Sequence, residues 1–306
     1  MTTEEEVISS DPYWIQLLQE TKVIDIVERN RKIVRVNFYE DVATLLKKLS
    51  TEHVLSAVVT DSEKPGVFGF VDVLDLMVFA LEVTNSTNKP FSQESIQNLK
   101  WEGKIFSREI VGNLTNISNA DPFQSVDINT PLLEAVALFS GEVHRLAVTE
   151  NDQICNIISQ MDIIKFLVTR GVYIGSKVGR TLRDNGLVAL GVASVLDTMT
   201  VVDTIGYMKD FKCSGLAVVD KHNRIVANFS ATDLLGLNEE NFYLLQLPVK
   251  EYLTRVYGFP KPPVCVSELS TVEEVLLKIA VHSVHRVYIV DNSMRPLGLL
   301  TLTDLM

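Results

Sequence analysis

Four aspartates with matched surroundings are the residues in this sequence whose type and spacing could do chemistry. Each lies three residues after a short oxygen-bearing side chain, and the last two intervals between them are both 71 residues. An Asp in the first turn of a helix stays ionised, because it faces the positive end of the helix dipole. Such a carboxylate can accept hydrogen bonds from a ligand's hydroxyl groups. The four are Asp75, Asp162, Asp233 and Asp304, preceded by Asp72, Ser159, Ser230 and Thr301.

Two His-Arg pairs form the second recurring feature. His144-Arg145 opens "HRLAVTE", and His285-Arg286 opens "HRVYIVD". An Arg fork can bond two phosphate oxygens at once, and an imidazole adds a further donor. In a chain of formal net charge −11, an anionic ligand needs such local positive charge. Two alternatives stay open: the aspartates only cap helices, and the Arg residues only form surface ion pairs with acids such as Glu142.

A fourfold repeat of helix, strand, strand and helix must position these residues. Apolar positions at helical spacing begin near Val42, Leu132, Val201 and Val272, and each helix leads to two short β-rich runs. The aspartates fall where the second strand meets the second helix. The longer first interval contains residues 86–105, a polar insert without periodicity.

Composition narrows the class of protein. With 46% hydrophobic and 22% charged residues, the chain is expected to fold into packed domains. Its acidic balance and lack of a long apolar run favour neither nucleic-acid nor membrane binding, and a cytoplasmic location, also nuclear, is expected. Cys155, Cys213 and Cys265 show neither disulfide nor zinc spacing, and no metal site is predicted. No catalytic signature occurs, so the chain is not expected to be an enzyme.

The repeated segments resemble cystathionine β-synthase (CBS) domains. "CSGLAVVDKHNRIV", "FSATDLL" and "VHRVYIVDNSMRPLGLLTLTDL" are similar to the gamma regulatory subunit of AMP-activated and sucrose-non-fermenting-related protein kinases, and the first repeat is more like its divergent gamma-like relatives. The resemblance implies an α/β (α+β) fold of four CBS repeats, paired into two Bateman modules that form a flat disk. The ranges expected are 1–22 (N-terminal extension), 23–85 (repeat 1), 86–105 (insert), 106–172 (repeat 2), 173–240 (repeat 3) and 241–306 (repeat 4).

The resemblance also implies a ligand, partners and a role for each site residue. The ligands would be AMP, ADP or ATP, with no covalent cofactor, and the partners would be a kinase catalytic subunit and a beta-type scaffold subunit. Ribose would be bound by Asp162, Asp233, Asp304 and, most weakly, Asp75, with Ser159, Ser230 and Thr301 as caps. Phosphate would be bound by His144, Arg145, His285, Arg286, Lys212 and Ser214.

The first repeat departs from the pattern of the family. Leu55 stands where the resembled subunit has a phosphate-contacting Arg, and Asp72 places a second carboxylate beside Asp75. That charge would repel an anionic ligand, so the first cleft is expected to be weak or empty. Two hypotheses therefore stand. One is a non-catalytic regulatory subunit that senses AMP, ADP and ATP and modulates a bound kinase; the other is a nucleotide-blind CBS scaffold.

Overall fold

The computed structural model describes residues 13–28, 31–63, 67–84, 93–141, 143–171, 179–188, 191–259 and 262–306, with side chains from residue 98 onward in the fourth range. Four three-stranded sheets follow one another along this chain, one in each repeat. In each sheet a short first strand pairs in parallel with the second strand, and the third strand pairs antiparallel to the second.

The first two repeats contain most of the long helices. Repeat 1 and the elements that flank it consist of α1 (Tyr13–Glu20), β1 (Arg35–Asn37), α2 (Val42–Glu52), β2 (Ser56–Thr60), β3 (Val67–Asp72), α3 (Val73–Val83) and α4 (Gln93–Arg108). Repeat 2 consists of β4 (Ser125–Asp127), α5 (Leu132–Phe139), β5 (Arg145–Glu150), β6 (Gln153–Ser159) and α6 (Gln160–Thr169).

The last two repeats have the same order of strands. Repeat 3 consists of β7 (Ser194–Leu196), α7 (Val201–Asp210), β8 (Gly215–Val219), β9 (Ile225–Ser230) and a 3-10 turn over 231–234. After α8 (Val249–Tyr257), repeat 4 consists of β10 (Cys265–Ser267), α9 (Val272–His282), β11 (Arg286–Val290), β12 (Pro296–Thr301) and a 3-10 turn over 303–305.

The amphipathic pattern accounts for the first helix of every repeat. In α2, Leu45 and Leu49 are fully buried on the apolar stripe, and α9 begins with a capping box in which Thr271 and Glu274 bond each other's backbone amides. The polar residue that interrupts the stripe of α7, Thr204, is also fully buried. Its hydroxyl donates to the Thr200 carbonyl at 2.8 Å, which satisfies it inside the core.

The predicted α/β fold with four paired repeats is confirmed, and the structure differs from the sequence pattern in three details. A short parallel strand precedes each first helix and was not predicted. The second helices of repeats 3 and 4 are only 3-10 turns, of 4 residues (231–234) and 3 residues (303–305). Within the insert predicted at 86–105, residues 93 onward belong to helix α4, whose Leu99 and Phe106 are buried.

The repeats form two modules that close into a ring. Apolar residues of β2, β3, β5 and β6 join the sheets of repeats 1 and 2, and those of β8, β9 and β11 join repeats 3 and 4. Helices then join the modules: α3 packs with α7 in a core shared by repeats 1 and 3, and α6 packs with α9 in a core shared by repeats 2 and 4. Each repeat therefore contacts one neighbour through its sheet and another through its helices.

Within each module, the segment that leads into one repeat hydrogen-bonds to the other repeat. The segment before repeat 1 bonds to repeat 2, where the Leu132 amide donates to the Thr21 carbonyl at 2.8 Å. The segment before repeat 2 bonds back to repeat 1, since the Val42 amide donates to the Glu109 carbonyl at 3.0 Å. The second module repeats this exchange. A side chain on such a segment can therefore reach the partner repeat.

Candidate functional site

The junction between the third strand and the following helical turn has one construction in all four repeats, and we call these junctions corners 1 to 4. The first residue of the second strand pairs with the cap residue of the corner, as Arg145 pairs with Ser159 and Arg286 with Thr301. The amide after the cap donates to the carbonyl before that strand, as Gln160 does to His144 at 3.3 Å. The sequence repeat is thus a repeat of hydrogen bonds.

The corner aspartate folds back onto its cap through one oxygen, Oδ2, which we call the inner oxygen. In corner 2 the Ser159 amide and Oγ both donate to Asp162 Oδ2 at 2.7 Å. In corner 4 Thr301 makes the same two bonds to Asp304 Oδ2, also at 2.7 Å. The outer oxygen, Oδ1, takes no part in the cap and is the atom available to another group.

Corner 1 is closed by Ser118. Its amide and Oγ donate to Asp75 Oδ1 at 2.9 and 2.7 Å, and only 2% of Asp75 is exposed. Burial and the neighbouring charge of Asp72 raise the pKa of Asp75 to about 6. Both oxygens of this carboxylate already have protein partners.

Corner 2 is closed by Arg31. The guanidinium donates from Nη2 to Asp162 Oδ1 at 2.6 Å and from Nη1 to Oδ2 at 3.0 Å, a two-point ion pair. Nη1 also donates to the Ile157 carbonyl at 2.9 Å. Burial opposes ionisation of Asp162, but the hydrogen bond and charge of Arg31 outweigh it and hold the pKa of Asp162 below its usual value.

Corner 3 is closed by a tyrosine. Tyr257 Oη donates to Asp233 Oδ1 at 2.8 Å, and Tyr252 Oη donates to the Asp233 carbonyl at 2.7 Å. Asp233 is 6% exposed. Burial and the Asp233 charge raise the pKa of Tyr257, so this phenol stays protonated and remains a donor.

Corner 4 is open. Asp304 is exposed, and across the described ranges its Oδ1 has no hydrogen-bond partner, while Oδ2 is held by Thr301. The other three corners receive a side chain from the segment that leads into the first strand of the partner repeat: Ser118 lies before β4, Arg31 before β1, and Tyr257 before β10. The described residues before repeat 3 supply no such side chain to Asp304.

The two Arg residues of the His-Arg pairs also differ in their partners. Arg145 Nε lies 2.6 Å from Asp121 Oδ2, and its Nη2 donates to Asp72 at 3.3 Å across the module. Burial of Asp121 opposes its ionisation, but the hydrogen bond of His144 and the charge of Arg145 outweigh this and lower the pKa of Asp121. Asp121 therefore neutralises Arg145, and Asp72, whose pKa is raised by burial, is a second carboxyl partner.

Arg286 crosses its module in the same way but meets a neutral group. Its Nη2 donates to Ser214 Oγ at 2.5 Å, and no carboxylate among the described residues lies within ion-pair distance of it. Lys212, two residues from Ser214, is exposed, and none of the described side chains pairs with it. The module formed by repeats 3 and 4 keeps positive charge that the other module neutralises.

The two His-Arg pairs face a common centre. Burial within the surrounding protein and the charges of Arg286, Arg145 and His144 lower the pKa of His285 to about 4. The ring is nevertheless accessible to solvent, as expected for a side chain that lines a concave surface. His285 is therefore a neutral donor and acceptor at neutral pH, at the point where the two modules meet.

Sequence reasoning placed the four aspartates and both His-Arg pairs at corners but missed their partners. Arg31, Ser118, Asp121 and Tyr257 decide the state of three corners and of Arg145. Their contacts span 24 to 131 positions in the chain, and no motif marks them. The exchange of leading segments is the one regularity that could have directed attention to them.

The part of the chain that the structure describes shows no metal cluster, disulfide or membrane-spanning helix. No group of three or more His, Cys, Asp or Glu side chains there could hold a metal ion. The three cysteines are free and partly buried. In the same parts of the chain, every helix is too short or too polar to cross a membrane.

Comparison with known proteins gives matches to one family and to related kinase subunits. The CBS domain model matches residues 114–169 and 249–306. Subunit gamma-3 of the 5'-AMP-activated protein kinase of Sus scrofa is 26% identical over 96% of this chain and 57% of its own length. Protein sds23 of Neosartorya fischeri is 24% identical over 74% of this chain and 44% of its own length.

Two further similarities extend this picture. The SNF1-related protein kinase regulatory subunit gamma-like PV42a of Arabidopsis thaliana is 25% identical over 58% of this chain and 60% of its own length. The chain thus spans about half of the curated relatives it matches. Protein MJ1225 of Methanocaldococcus jannaschii, titled a putative archaeal homolog of g-AMPK, has the same fold, with a TM-score of 0.71 at 17% identity over 93% of this chain and 98% of its own.

The four sheets share one order of strands, and the CBS domain model matches two segments of the chain. The chain is therefore similar to CBS-domain proteins built of four repeats. Among such proteins it resembles the gamma subunits of the AMP-activated and SNF1-related protein kinases.

Proposed function

We propose that this chain is a non-catalytic, gamma-like regulatory subunit that binds an adenine nucleotide at corner 4 and modulates a protein kinase. One observation carries the proposal. Asp304 alone among the four corner aspartates has an outer oxygen without a partner in the described ranges, and it stands beside an Arg286 that no described carboxylate neutralises. The relatives named as kinase subunits supply the context.

The geometry of corner 4 suits a nucleoside phosphate. Asp304 Oδ1 can accept a hydrogen bond from a ribose hydroxyl, and charge-assisted bonds of this kind contribute about 1.5 to 3 kcal/mol. Arg286 lies opposite Thr301 in the strand ladder, so its backbone is one strand away from the ribose anchor, and its guanidinium extends across the module to Ser214. His285, Lys212 and Ser214 would complete the surroundings of the phosphate.

The number of sites follows from the closed corners. A ligand at corner 2 would have to displace the two-point ion pair of Arg31, and one at corner 1 would have to displace Ser118 from a buried carboxylate. A ligand at corner 3 would have to displace the Tyr257 hydroxyl from Asp233 Oδ1. These costs favour one nucleotide per chain.

Regulation would arise from the charge of the phosphate chain. AMP, ADP and ATP place different negative charge among His285, Arg286 and, from the other module, His144 and Arg145. A ligand shifts a conformational equilibrium only by its difference in affinity for the two states. We expect the junction of the modules, and through it a kinase catalytic subunit and a beta-type scaffold subunit, to respond to that difference.

The test is isothermal titration with AMP, ADP and ATP. Asp304→Asn should weaken binding at least about tenfold, because it removes the charge that accepts the ribose hydroxyl. Asp162→Asn is the matched control, since the same change at a closed corner should leave the affinity unchanged. If Asp304→Asn binds as the wild type does, or both variants lose affinity equally, the proposed site is wrong.

A second candidate function is a nucleotide-blind CBS scaffold, and the three closed corners favour it. A ligand of the folded state must raise the melting temperature in a concentration-dependent way. No shift with millimolar AMP, ADP or ATP would favour the scaffold over the sensor. Pull-down from native cells followed by mass spectrometry tests the kinase partnership that the first proposal includes.

A further inference from the structure

The guanidinium of Arg286 lies in a space that a glycine leaves open. Gly215 begins the second strand of repeat 3, at the place that Ser56, Arg145 and Arg286 occupy in the other repeats. A Cβ atom on Gly215 would lie 2.7 Å from Arg286 Cζ and closer still to Nη1. Gly215 is not among the residues with positive φ, so the backbone torsion there does not require glycine. The same Cβ would also lie 2.8 Å from the Phe229 carbonyl oxygen, so glycine supplies room both for the paired strand and for Arg286.

Two hydroxyl groups complete the surroundings of this guanidinium. Ser214 Oγ accepts from Nη2 at 2.5 Å. Tyr288 lies two residues from Arg286 on β11 and therefore on the same face of the strand, and the charge and hydrogen bond of Arg286 oppose the rise in the pKa of Tyr288 that burial causes. Tyr288 is 1% exposed.

Tyr288 is itself fixed by a contact across the module. Its Oη donates to Asn228 Oδ1 at 2.6 Å, which joins β11 of repeat 4 to β9 of repeat 3. The equivalent strand positions in the other module are Ala147 and Phe70, an apolar pair. The polar pair and the glycine therefore occur together in the module with the open corner, and their counterparts in the other module are apolar or carry a side chain.

The contrast with Arg145 shows what this arrangement achieves. The carboxyl groups of Asp121 and Asp72 hold Arg145, and the charge of Asp121 also cancels that of Arg145. Gly215 leaves space for the Arg286 guanidinium, Ser214 accepts a neutral hydrogen bond from it, and Tyr288 beside it is neutral, so the charge of Arg286 remains available. A fixed and uncompensated guanidinium attracts a phosphate without first losing side-chain entropy or a competing carboxylate.

We propose that Gly215 and Tyr288 are positioning residues that hold the Arg286 guanidinium for the phosphate of the nucleotide, and thereby set the preference of corner 4 for AMP over adenosine. This inference rests on the proposed function. It goes further by assigning the discrimination between nucleotide and nucleoside to two residues that do not contact the ribose anchor.

The experiment compares AMP and adenosine affinities by isothermal titration. Tyr288→Phe removes only the hydroxyl and keeps the ring that packs between the sheets, and it should weaken AMP binding about three- to tenfold while leaving adenosine binding unchanged. Gly215→Ala, which fills the space beside Arg286, should act in the same direction. Tyr252→Phe is the matched control, because it removes an equally buried hydroxyl at closed corner 3, and both affinities should stay as in the wild type.

The outcomes separate the two proposals. Equal weakening of AMP and adenosine by Tyr288→Phe would show a merely structural role and overturn the inference. Unchanged AMP binding in Tyr288→Phe, where Arg286→Ala weakens it, would overturn it as well. If Gly215→Ala fails to fold, Tyr288→Phe still decides. Wild-type binding of AMP that Asp304→Asn does not weaken would instead refute the proposed function itself.

Discussion

At the scale of single residues, Asp162 and Asp304 have the same bonds to their caps but different partners at the outer oxygen. Arg31 holds Asp162 at 2.6 Å, whereas Asp304 is exposed. A carboxylate that keeps an ion pair inside the protein gives up a strong bond if it is to bind a ligand. The partner of the outer oxygen therefore decides what a corner can bind.

The capping bonds were predictable from sequence and the partners were not. A Ser or Thr three residues before an Asp specifies a local bond, so Ser159 and Thr301 could be assigned from spacing alone. Arg31 lies 131 positions from Asp162, and its role depends on the segment before β1 packing against repeat 2. Local rules say nothing about such a distance.

Replacement of Arg31 by alanine tests the strength of the corner 2 closure. Arg31→Ala should lower the free energy of unfolding by about 1 to 2 kcal/mol at pH 7, less than for a fully buried pair because the guanidinium is partly exposed and screened. The pKa of Asp162 is lowered in the folded state, so this contribution is present above the usual Asp range and is lost as the pH falls from that range through the lowered pKa. Urea unfolding at pH 7 and in acid measures both.

The adjacent residue provides the control for this substitution. Lys32 forms an exposed ion pair with Glu52, and Lys32→Ala should change the stability by no more than about 0.5 kcal/mol at either pH. A loss in Arg31→Ala that stays constant down to the acid limit would contradict the assignment, because it could not come from the Asp162 charge.

At the scale of elements, α4 shows where composition misleads. The helix is polar on average, and its residues 93–105 were expected to belong to an insert without periodicity. Phe106 nevertheless packs against Phe79 and Phe242, with ring centroids 5.8 and 5.2 Å apart, so a few apolar residues suffice to dock the helix. The helix is stabilised by contacts with repeat 3 that no window within the insert could reveal.

Two glycines in helices allow a paired test of this docking. Gly103 in α4 faces repeat 3, where an added Cβ would lie 2.7 Å from Phe242 Cβ and 3.1 Å from the Glu239 backbone. Gly206 in α7 has open space around it. Gly103→Ala should cost about 1 to 3 kcal/mol through overpacking, whereas Gly206→Ala should add up to about 1 kcal/mol through helix propensity. Urea unfolding measures the free energy of unfolding of both variants. An equal increase in both would mean that α4 does not pack against this surface.

At the scale of the whole molecule, the equal 71-residue intervals predicted equivalent repeats but not how they close into a ring. Closure depends on contacts between repeats, such as Gln160 Nε2 donating to Thr303 Oγ1 at 3.0 Å between corners 2 and 4. Gln160 is 2% exposed. The open corner is thus bonded to the opposite module, and we expect a change at corner 4 to act on the junction of the modules.

The centre of the ring makes the stability of the protein depend on pH. The pKa of His285 is about 4 in the folded protein, because of burial and of the charges of Arg286, Arg145 and His144. The unfolded chain, with an ordinary His, takes up this proton at a higher pH. The folded state therefore loses stability as the pH falls from the usual His range towards 4. A phosphate bound among these groups would offset their charge and raise the pKa of His285.

Ligand and proton should consequently bind together at this centre. The rise in melting temperature that saturating AMP produces should be larger at pH 5 than at pH 7 in the wild type, because the bound phosphate allows His285 to be protonated without loss of stability. His285→Gln removes the titrating group, so its AMP-induced shift should lack the additional increase at pH 5. The second phosphate ionisation of AMP contributes equally in both proteins and cancels in the comparison. The same pH dependence in wild type and His285→Gln would show that the phosphate does not bind at the centre where the two modules meet.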